Sequence, residues 1–273
     1  MSMPAPKPRS FGAVAVDLDG SLAGADHRCS PLAIRVLAAL EQRGTYPIIV
    51  TGRTVAAARV PWREAGLSAP TISCNGAVIE QPATGERLAE HHLPGEVIAE
   101  SLRLAERAGL TLVLWTPERM YASHRDEYIE LLEDVNDEEV AIGSLQQLGN
   151  EPVVKAMLAG PSERLDAAAT QVEGSLPSMQ RSMPNFLETS APGANKAGAL
   201  LHVLELLGVP PSACLGVGDG DTDAEWLSMI GYPVAPANAR RTVREVAAEI
   251  VGHHADDGVA VYLDHTFGLD LQA

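Results

Sequence analysis

The chain has 273 residues, 46% of them apolar, and carries a formal net charge of −16. That length holds one large domain or two smaller ones, and the apolar fraction supplies a sizeable core and argues against disorder. The acidic balance repels a phosphate backbone, which sets nucleic acid aside as a partner; any phosphorylated ligand then needs local cations and a metal.

Met1 to Ser10 is proline-rich and polar, without the apolar core of a signal peptide. No run approaches the roughly 18 apolar residues of a membrane span, so no membrane partner is expected. Cys29, Cys74 and Cys214 lie far apart and form no Cys-x-x-Cys pair. Free thiols in a reducing cytoplasm are the expectation.

The first element is the apolar run Val14-Ala15-Val16, read as a buried strand, which ends in Asp17-Leu18-Asp19-Gly20-Ser21-Leu22. Residues i and i+2 of a strand point to one side, but the bend at the strand's end lets the second carboxylate swing away. Two acids then stand near one spot at a strand's carboxyl end, where open α/β sheets place their ligands. Ser30-Pro31 caps and starts a helix in which Leu32, Val36, Leu37 and Leu40 recur at helical spacing, with Gly44 as the stop. Tyr46 to Val50 is the next strand and runs into Thr51-Gly52-Arg53, with a helix over roughly 54–65. Thr71 to Cys74 is a third strand, and Asn75-Gly76 is a strong turn signal.

After about Gln81 the pattern changes. A turn at Pro82-Ala83-Thr84-Gly85 opens a segment that reads helix, strand, strand, acidic helix, strand, helix, strand to about residue 187. Its strands include Leu110 to Trp115 and Val153 to Ala159, and the acidic stretch Asp126 to Glu139 reads as a solvated helix face. From Ala194 the first pattern returns: a helix to about Leu207, a strand Cys214 to Val217, and the acid-rich Gly218-Asp219-Gly220-Asp221-Thr222-Asp223 before another helix. Tyr232 to Ala235 is a short strand, and two helical segments follow. The alternation is that of an α/β chain: a Rossmann-like core of residues 1–81 and 188–273, interrupted by an inserted α/β domain over 82–187.

Four segments carry the chemistry. The acids Asp17 and Asp19 are the nucleophile candidates. The Thr51 hydroxyl and the Gly52 amide sit at a strand-to-helix turn, where backbone amides cradle anions. Lys196 opens a helix, against the dipole's preference, which makes sense beside a bound anion. Asp219 and Asp223 are four apart and share a face if a helix starts between them; carboxylates plus water are what Mg²⁺ prefers. Each segment has an ordinary alternative, namely a turn, a threonine cap, a surface lysine and an acidic helix cap. Their common order, always at a strand's end or a helix's start, describes phosphoryl transfer on an aspartate with Mg²⁺.

These motifs resemble the haloacid dehalogenase superfamily, and more narrowly its Cof-type phosphatases, which carry a large α/β cap. Asp17-Leu18-Asp19-Gly20-Ser21-Leu22 is similar to the family's Asp-x-Asp-Gly-Thr-Leu, and Thr51-Gly52-Arg53 to its second motif. Lys196 in Asn195-Lys196-Ala197-Gly198-Ala199-Leu200 is similar to the third, and Gly218 to Asp223 to the fourth, usually Gly-Asp-x-x-Asn-Asp. Asn75-Gly76-Ala77, Asn185 to Glu188, Ala237-Asn238-Ala239 and Asp257-Gly258-Val259 extend the likeness over about residues 11 to 265. The resemblance implies Asp17 as nucleophile and Asp19 as the acid and base. It implies Leu18, Thr51, Gly52, Lys196 and Thr222 on the phosphoryl oxygens. It also implies Mg²⁺ on Asp17, the Asp19 carbonyl, Asp219 and Asp223. Ser21 replaces a usual Thr, and Thr222 replaces a usual Asn.

The expected activity is a Mg²⁺-dependent phosphatase of small phosphorylated metabolites, such as sugar phosphates. A phosphomutase on the same fold and a non-catalytic phosphometabolite-binding protein are the alternatives. His91-His92 and His253-His254 are read as surface or loop residues, because adjacent side chains face apart. Trp115, Arg119 and Tyr121 are candidates to line a substrate pocket in the insert.

Overall fold

The apolar runs near the two ends of the chain meet in one parallel sheet. A computed structural model describes residues 10–148, 151–172 and 179–271; the proline-rich start, residues 1–9, lies outside them. In chain order, the first part comprises β1 (Ala13–Val16), α1 (Pro31–Gln42), β2 (Tyr46–Ile49), α2 (Val55–Ala65), β3 (Thr71–Ser73), β4 (Val78–Gln81) and β5 (Glu86–Glu90). The middle part comprises α3 (Gly95–Ala108), β6 (Thr111–Trp115), β7 (Met120–Ala122), α4 (Glu127–Asn136), β8 (Val140–Ile142), β9 (Lys155–Ala159), α5 (Ser162–Val172), β10 (Gln180–Met183) and β11 (Phe186–Ser190). The last part comprises α6 (Lys196–Leu206), β12 (Cys214–Val217), α7 (Ala224–Ser228), β13 (Tyr232–Pro236), α8 (Arg241–Val246), β14 (Glu249–Val251) and α9 (Gly258–Phe267).

The parallel sheet has the order β14-β13-β12-β1-β2. A single parallel bridge from Val50 to Ile72 sets β3 beside β2. Both faces are covered, so the central strands are buried throughout instead of alternating. Val14 and Val16 pack with Leu37 and Leu40 of α1 and Val259 and Leu263 of α9. Ala13 and Ala15 pack with Leu200 and Val203 of α6 and Trp226 of α7. The caps are local: the Ser30 hydroxyl accepts from the Ala33 amide at 3.0 Å with Pro31 in the first turn, and the Thr54 hydroxyl accepts from the Ala57 amide at 3.3 Å.

The second sheet, β10-β11-β9-β6-β7-β8, is antiparallel except for β7 with β8. Leu112, Leu114, Ala156 and Leu158 on one face pack against Leu104 of α3 and Leu165 of α5. On the other face Val113, Trp115, Met157 and Phe186 pack with Ile129 and Leu132 of α4 and with Val55 and Val78 of the first part. This face therefore looks toward the carboxyl ends of the parallel strands.

The α/β class and most elements agree with the sequence. Five strands do not: β4, β5, β8, β10 and β14 have no counterpart in the sequence reading, which expects a helix directly after the 82–85 turn. β4 is the middle strand of the small sheet β3-β4-β5, and the other four lie at a sheet edge. An edge strand satisfies only one ladder and buries little, so its residues carry no apolar run; Glu86 to Glu90 is exposed or half-buried throughout. The hairpin turn supplies the pairing instead, with the Gly85 amide donating to the Gln81 carbonyl at 2.9 Å and Gly85 at φ 74°.

Asn75-Gly76 does turn the chain, between antiparallel β3 and β4, with φ of 56° and 88°. Gly76 also lies against the start of α6: a Cβ there would stand 2.2 Å from the Asn195 carbonyl oxygen, which is backbone and cannot give way. Gly76→Ala should lower unfolding stability by about 1–3 kcal/mol or more, through positive φ and overpacking together. Urea denaturation checks this; an unchanged midpoint would show that the approach is not tight.

Candidate active site

Strands β1 and β12 are neighbours in register, Val16 opposite Val217, while the chain leaves β1 toward β2 on the other side. The carboxyl ends of β1 and β12 thus flank a point where the strand order reverses, which opens a crevice for a ligand. Asp17 follows one strand directly and Asp219 follows the other by two residues. The Asp17 amide donates to the Val217 carbonyl at 2.9 Å, so the first carboxylate is rooted in the sheet.

Beyond Asp17 the chain bends. Gly20 has φ 70°, and a Cβ there would lie 2.3 Å from Asp219 Oδ2, so only glycine fits. Asn238 Nδ2 donates to the Gly20 carbonyl at 2.7 Å and holds the bend. Asp19 turns away from Asp17. Arg53 grips it with two hydrogen bonds, Nε to Oδ2 at 2.8 Å and Nη2 to Oδ1 at 2.5 Å, and His27 Nδ1 stands 3.5 Å from Oδ1. The Leu18 side chain is in the apolar core, so a ligand can meet only its main chain.

Asp219 and Asp223 come together, but not as one helix face. Helix α7 begins at Ala224, after both, because Gly218 and Gly220 favour a turn. The turn closes on Asp223 itself, whose Oδ2 accepts from the amides of Asp219 at 3.2 Å and Gly220 at 3.0 Å. Its Oδ1 accepts from Trp226 Nε1 at 2.9 Å and from Lys196 Nζ at 2.8 Å. Lys196 Nζ also donates to Asp17 Oδ1 at 2.7 Å. One oxygen from each of Asp17, Asp219 and Asp223 lies within 4.8 Å of the others. Three hard oxygens around one small volume, with no thiolate or imidazole among them, fit a divalent cation of the Mg²⁺ or Ca²⁺ kind.

Burial raises the Asp17 carboxyl well above its ordinary range; Lys196 opposes this, while Asp223, Asp219 and Asp19 add to it. Burial and then the Asp223 charge push Asp219 up to about 7. Burial works against the Lys196 charge, but the two carboxylates outweigh it and raise its pKa. Burial also opposes the Asp19 charge, yet the hydrogen bonds from Arg53 and His27 prevail and hold that carboxyl below its ordinary value.

Thr51 is fully buried, and its hydroxyl accepts from the Arg53 amide at 3.1 Å. It is not the helix cap, a role that Thr54 fills. Gly52 lines the cavity above the aspartates, and Thr222 lies on its rim, exposed. The cavity has a volume of about 460 Å³, and the second sheet contributes Trp115, Lys155, Met157, Phe186 and Glu188 to its far wall. Of the three pocket candidates in the insert, only Trp115 is there: Arg119 is exposed, and Tyr121 bonds Glu151 at 3.3 Å. The acidic stretch is not all solvated either. Glu138 is half-buried and accepts from the Thr54 hydroxyl, whereas Asp137 pairs with Arg28 at 2.9 Å on the exposed surface. The histidine pairs stay apart from the aspartates: His92 pairs with Glu90 and His254 Nδ1 contacts the Ala23 carbonyl.

Sequence reasoning gives no role to Arg53, Asn75, Asn238, Lys155 or Glu188. For Lys155 a signal exists, a charge inside the otherwise apolar run Val153 to Ala159.

A family model described as haloacid dehalogenase-like hydrolase matches residues 14–263. The chain is 26% identical over 264 residues to the 5-amino-6-(5-phospho-D-ribitylamino)uracil phosphatase YitU of Bacillus subtilis (strain 168), covering 94% of this chain and 97% of that protein. It is 29% identical over 255 residues to a phosphoglycolate phosphatase of Methanopyrus kandleri, covering 92% and 94%. Among solved structures, a haloacid dehalogenase-like hydrolase from Bacteroides thetaiotaomicron superposes with a TM-score of 0.86 at 24% identity, covering 94% of this chain and all of that one.

The carboxylates give the protein a pH signature. Asp219, with a folded value of about 7 against an ordinary 3.8, binds its proton more tightly folded than unfolded. With divalent metal removed by chelator, stability should therefore fall as pH rises from about 4 to 7 and then level off. Asp19 acts in the opposite sense: its contribution is full above the ordinary carboxylate range and is lost as pH falls through its depressed value. Asp219→Asn should flatten the decline between pH 4.5 and 7 in a thermal-melt series with chelator. Parallel curves for the two proteins would remove Asp219 as its source.

Proposed function

Because the chain belongs to the haloacid dehalogenase-like hydrolases, we propose that it is a Mg²⁺-dependent phosphatase of small phosphorylated metabolites, working through an aspartyl-phosphate on Asp17. The observation that carries this reading is the Lys196 ammonium, buried between Asp17 and Asp223 at the floor of a cavity. The ammonium works against the burial that raises Asp17, and a divalent cation on the same carboxylates would bring it to the ionised form that attacks phosphorus. The relatives' names, a uracil-bearing ester and phosphoglycolate, support phosphate monoesters as a class and no one member of it. We take residues 1–81 and 188–273 as the core domain and 82–187 as a cap that closes the cavity. The three free thiols suit a cytoplasmic setting, and among the described residues no helix is long and apolar enough to cross a membrane.

In this reading Asp17 attacks phosphorus, and the leaving oxygen takes a proton from Asp19. Water then attacks the phosphoryl group on Asp17, with Asp19 as the base. Arg53 and His27 hold Asp19 ionised, the form that the second step needs. A phosphoryl dianion beside it raises its proton affinity, as like charge does, and favours the acid form for the first step. Thr51, Gly52, the Leu18 main chain, Lys196 and Thr222 are the groups for the phosphoryl oxygens. Bound by Asp17, Asp219, Asp223 and the Asp19 carbonyl, Mg²⁺ would offset the repulsion between an anionic carboxylate and an anionic phosphate.

Asp17→Asn should reduce phosphate release by roughly 10³-fold or more while circular dichroism stays unchanged. Excess chelator should abolish release, Mg²⁺ should restore it, and Ca²⁺ should not, because its longer and looser coordination misplaces the nucleophile. Turnover by folded Asp17→Asn, or full activity in chelator, would refute the mechanism. Thr222→Asn supplies a second donor at the cavity rim and should tighten inorganic phosphate about five- to tenfold, for about 1 kcal/mol of hydrogen bonding. Weaker phosphate binding by that variant would mean that the contact is built around threonine.

A further inference from the structure

The far wall of the cavity holds an ion pair in an apolar setting. Lys155 is 3% exposed and Glu188 is 9% exposed. They stand on neighbouring strands β9 and β11, on the sheet face that also presents Met157 and Phe186. Lys155 Nζ lies 3.4 Å from the centroid of the Trp115 ring, whose strand β6 flanks β9 on the other side. A buried ion pair costs desolvation that well-packed apolar residues would avoid, so its position needs a reason other than stability.

The geometry of the pair supplies one. Glu188 Oε2 is 3.3 Å from Lys155 Nζ, and Glu188 Oε1 accepts from Asn75 Nδ2 at 3.4 Å. Both contacts are long for charge-assisted hydrogen bonds. An ammonium has three donors and a carboxylate about four acceptor positions, so each keeps capacity for a third party. That party must donate to Glu188 and accept from Lys155 side by side. A second cavity, of about 650 Å³, shares Glu188 and Asn75 with the first, so the pair stands where two spaces adjoin.

We propose that Lys155 and Glu188 select the leaving group, and that it is a planar ring with adjacent N–H and C=O groups, a cyclic amide or ureide. Such an edge matches the pair in polarity, with the N–H donating to Glu188 and the C=O accepting from Lys155, and Met157, Phe186 and Leu132 offer apolar contact to the ring faces. The proposal rests on the phosphatase reading above.

The test compares phosphate release from uridine 5′-monophosphate, its 3-methyl derivative, which lacks the ring N–H, ribose 5-phosphate and acetyl phosphate. The expected result is a kcat/KM for the uridine ester at least tenfold above that for ribose 5-phosphate, with most of the advantage lost on methylation. Glu188→Gln, Lys155→Met and the double variant, which leaves neither charge unpaired, should each lower the ratio of uridine ester to ribose 5-phosphate toward one. A uridine ester no better than ribose 5-phosphate, or a ratio unmoved in folded variants, overturns the proposal. No release from any of the four phosphates would sink the phosphatase reading instead.

Discussion

A single ammonium, that of Lys196, sits among the carboxylates of Asp17, Asp219 and Asp223, and the rest of the site follows from that imbalance of charge. One buried cation cannot neutralise three acids at low dielectric, so burial and mutual repulsion raise Asp17 and Asp219. The polypeptide concentrates negative charge at the end of its central strands and leaves it incompletely balanced. Only a cation, or a ligand brought in with one, completes the arrangement. The overall charge of −16 makes the point sharper, because nothing at long range compensates for the deficit.

The backbone makes this concentration affordable. Asp17 and Asp219 are anchored by two strands paired in register, and the turn that carries Asp219 is closed by hydrogen bonds to Asp223. Glycine appears where a side chain would collide, at Gly20 against Asp219 and at Gly76 against Asn195. The second sheet contributes different chemistry to the cavity: the apolar Met157 and Phe186, the Lys155–Glu188 ion pair, and the polar Gln180, Arg181 and Ser182.

The core strands, the covered helices and the acids of the floor were legible in the sequence because they obey strong local rules. Buried strands read as apolar runs, and capped helices start with Ser or Thr. The edge strands β5, β8, β10 and β14 were not, since pairing on one side asks little of composition. The juxtaposition of Asp219 and Asp223 is legible from spacing for the wrong reason: a turn, not a helix, unites them. Arg53 was hidden because its partner, Asp19, is 34 positions away in sequence. Lys155 and Glu188 were hidden because a strand pairing between β9 and β11 brings them together, and pairing partners across a sheet leave no periodic trace.

The start of α2 is held from two directions. On one side it continues Thr51-Gly52-Arg53, with Arg53 clamping Asp19. On the other, the Val55 amide donates to the Pro117 carbonyl at 2.8 Å, and Thr54 bonds Glu138, both partners belonging to the layer of the second sheet. Three consecutive residues at one helix start thus tie three places together: the Asp19 carboxylate through Arg53, the Glu138 carboxylate through Thr54 and the Pro117 carbonyl through Val55. A substitution that unseats the start of this helix therefore loosens the joint between the two layers and the Asp19 carboxylate together.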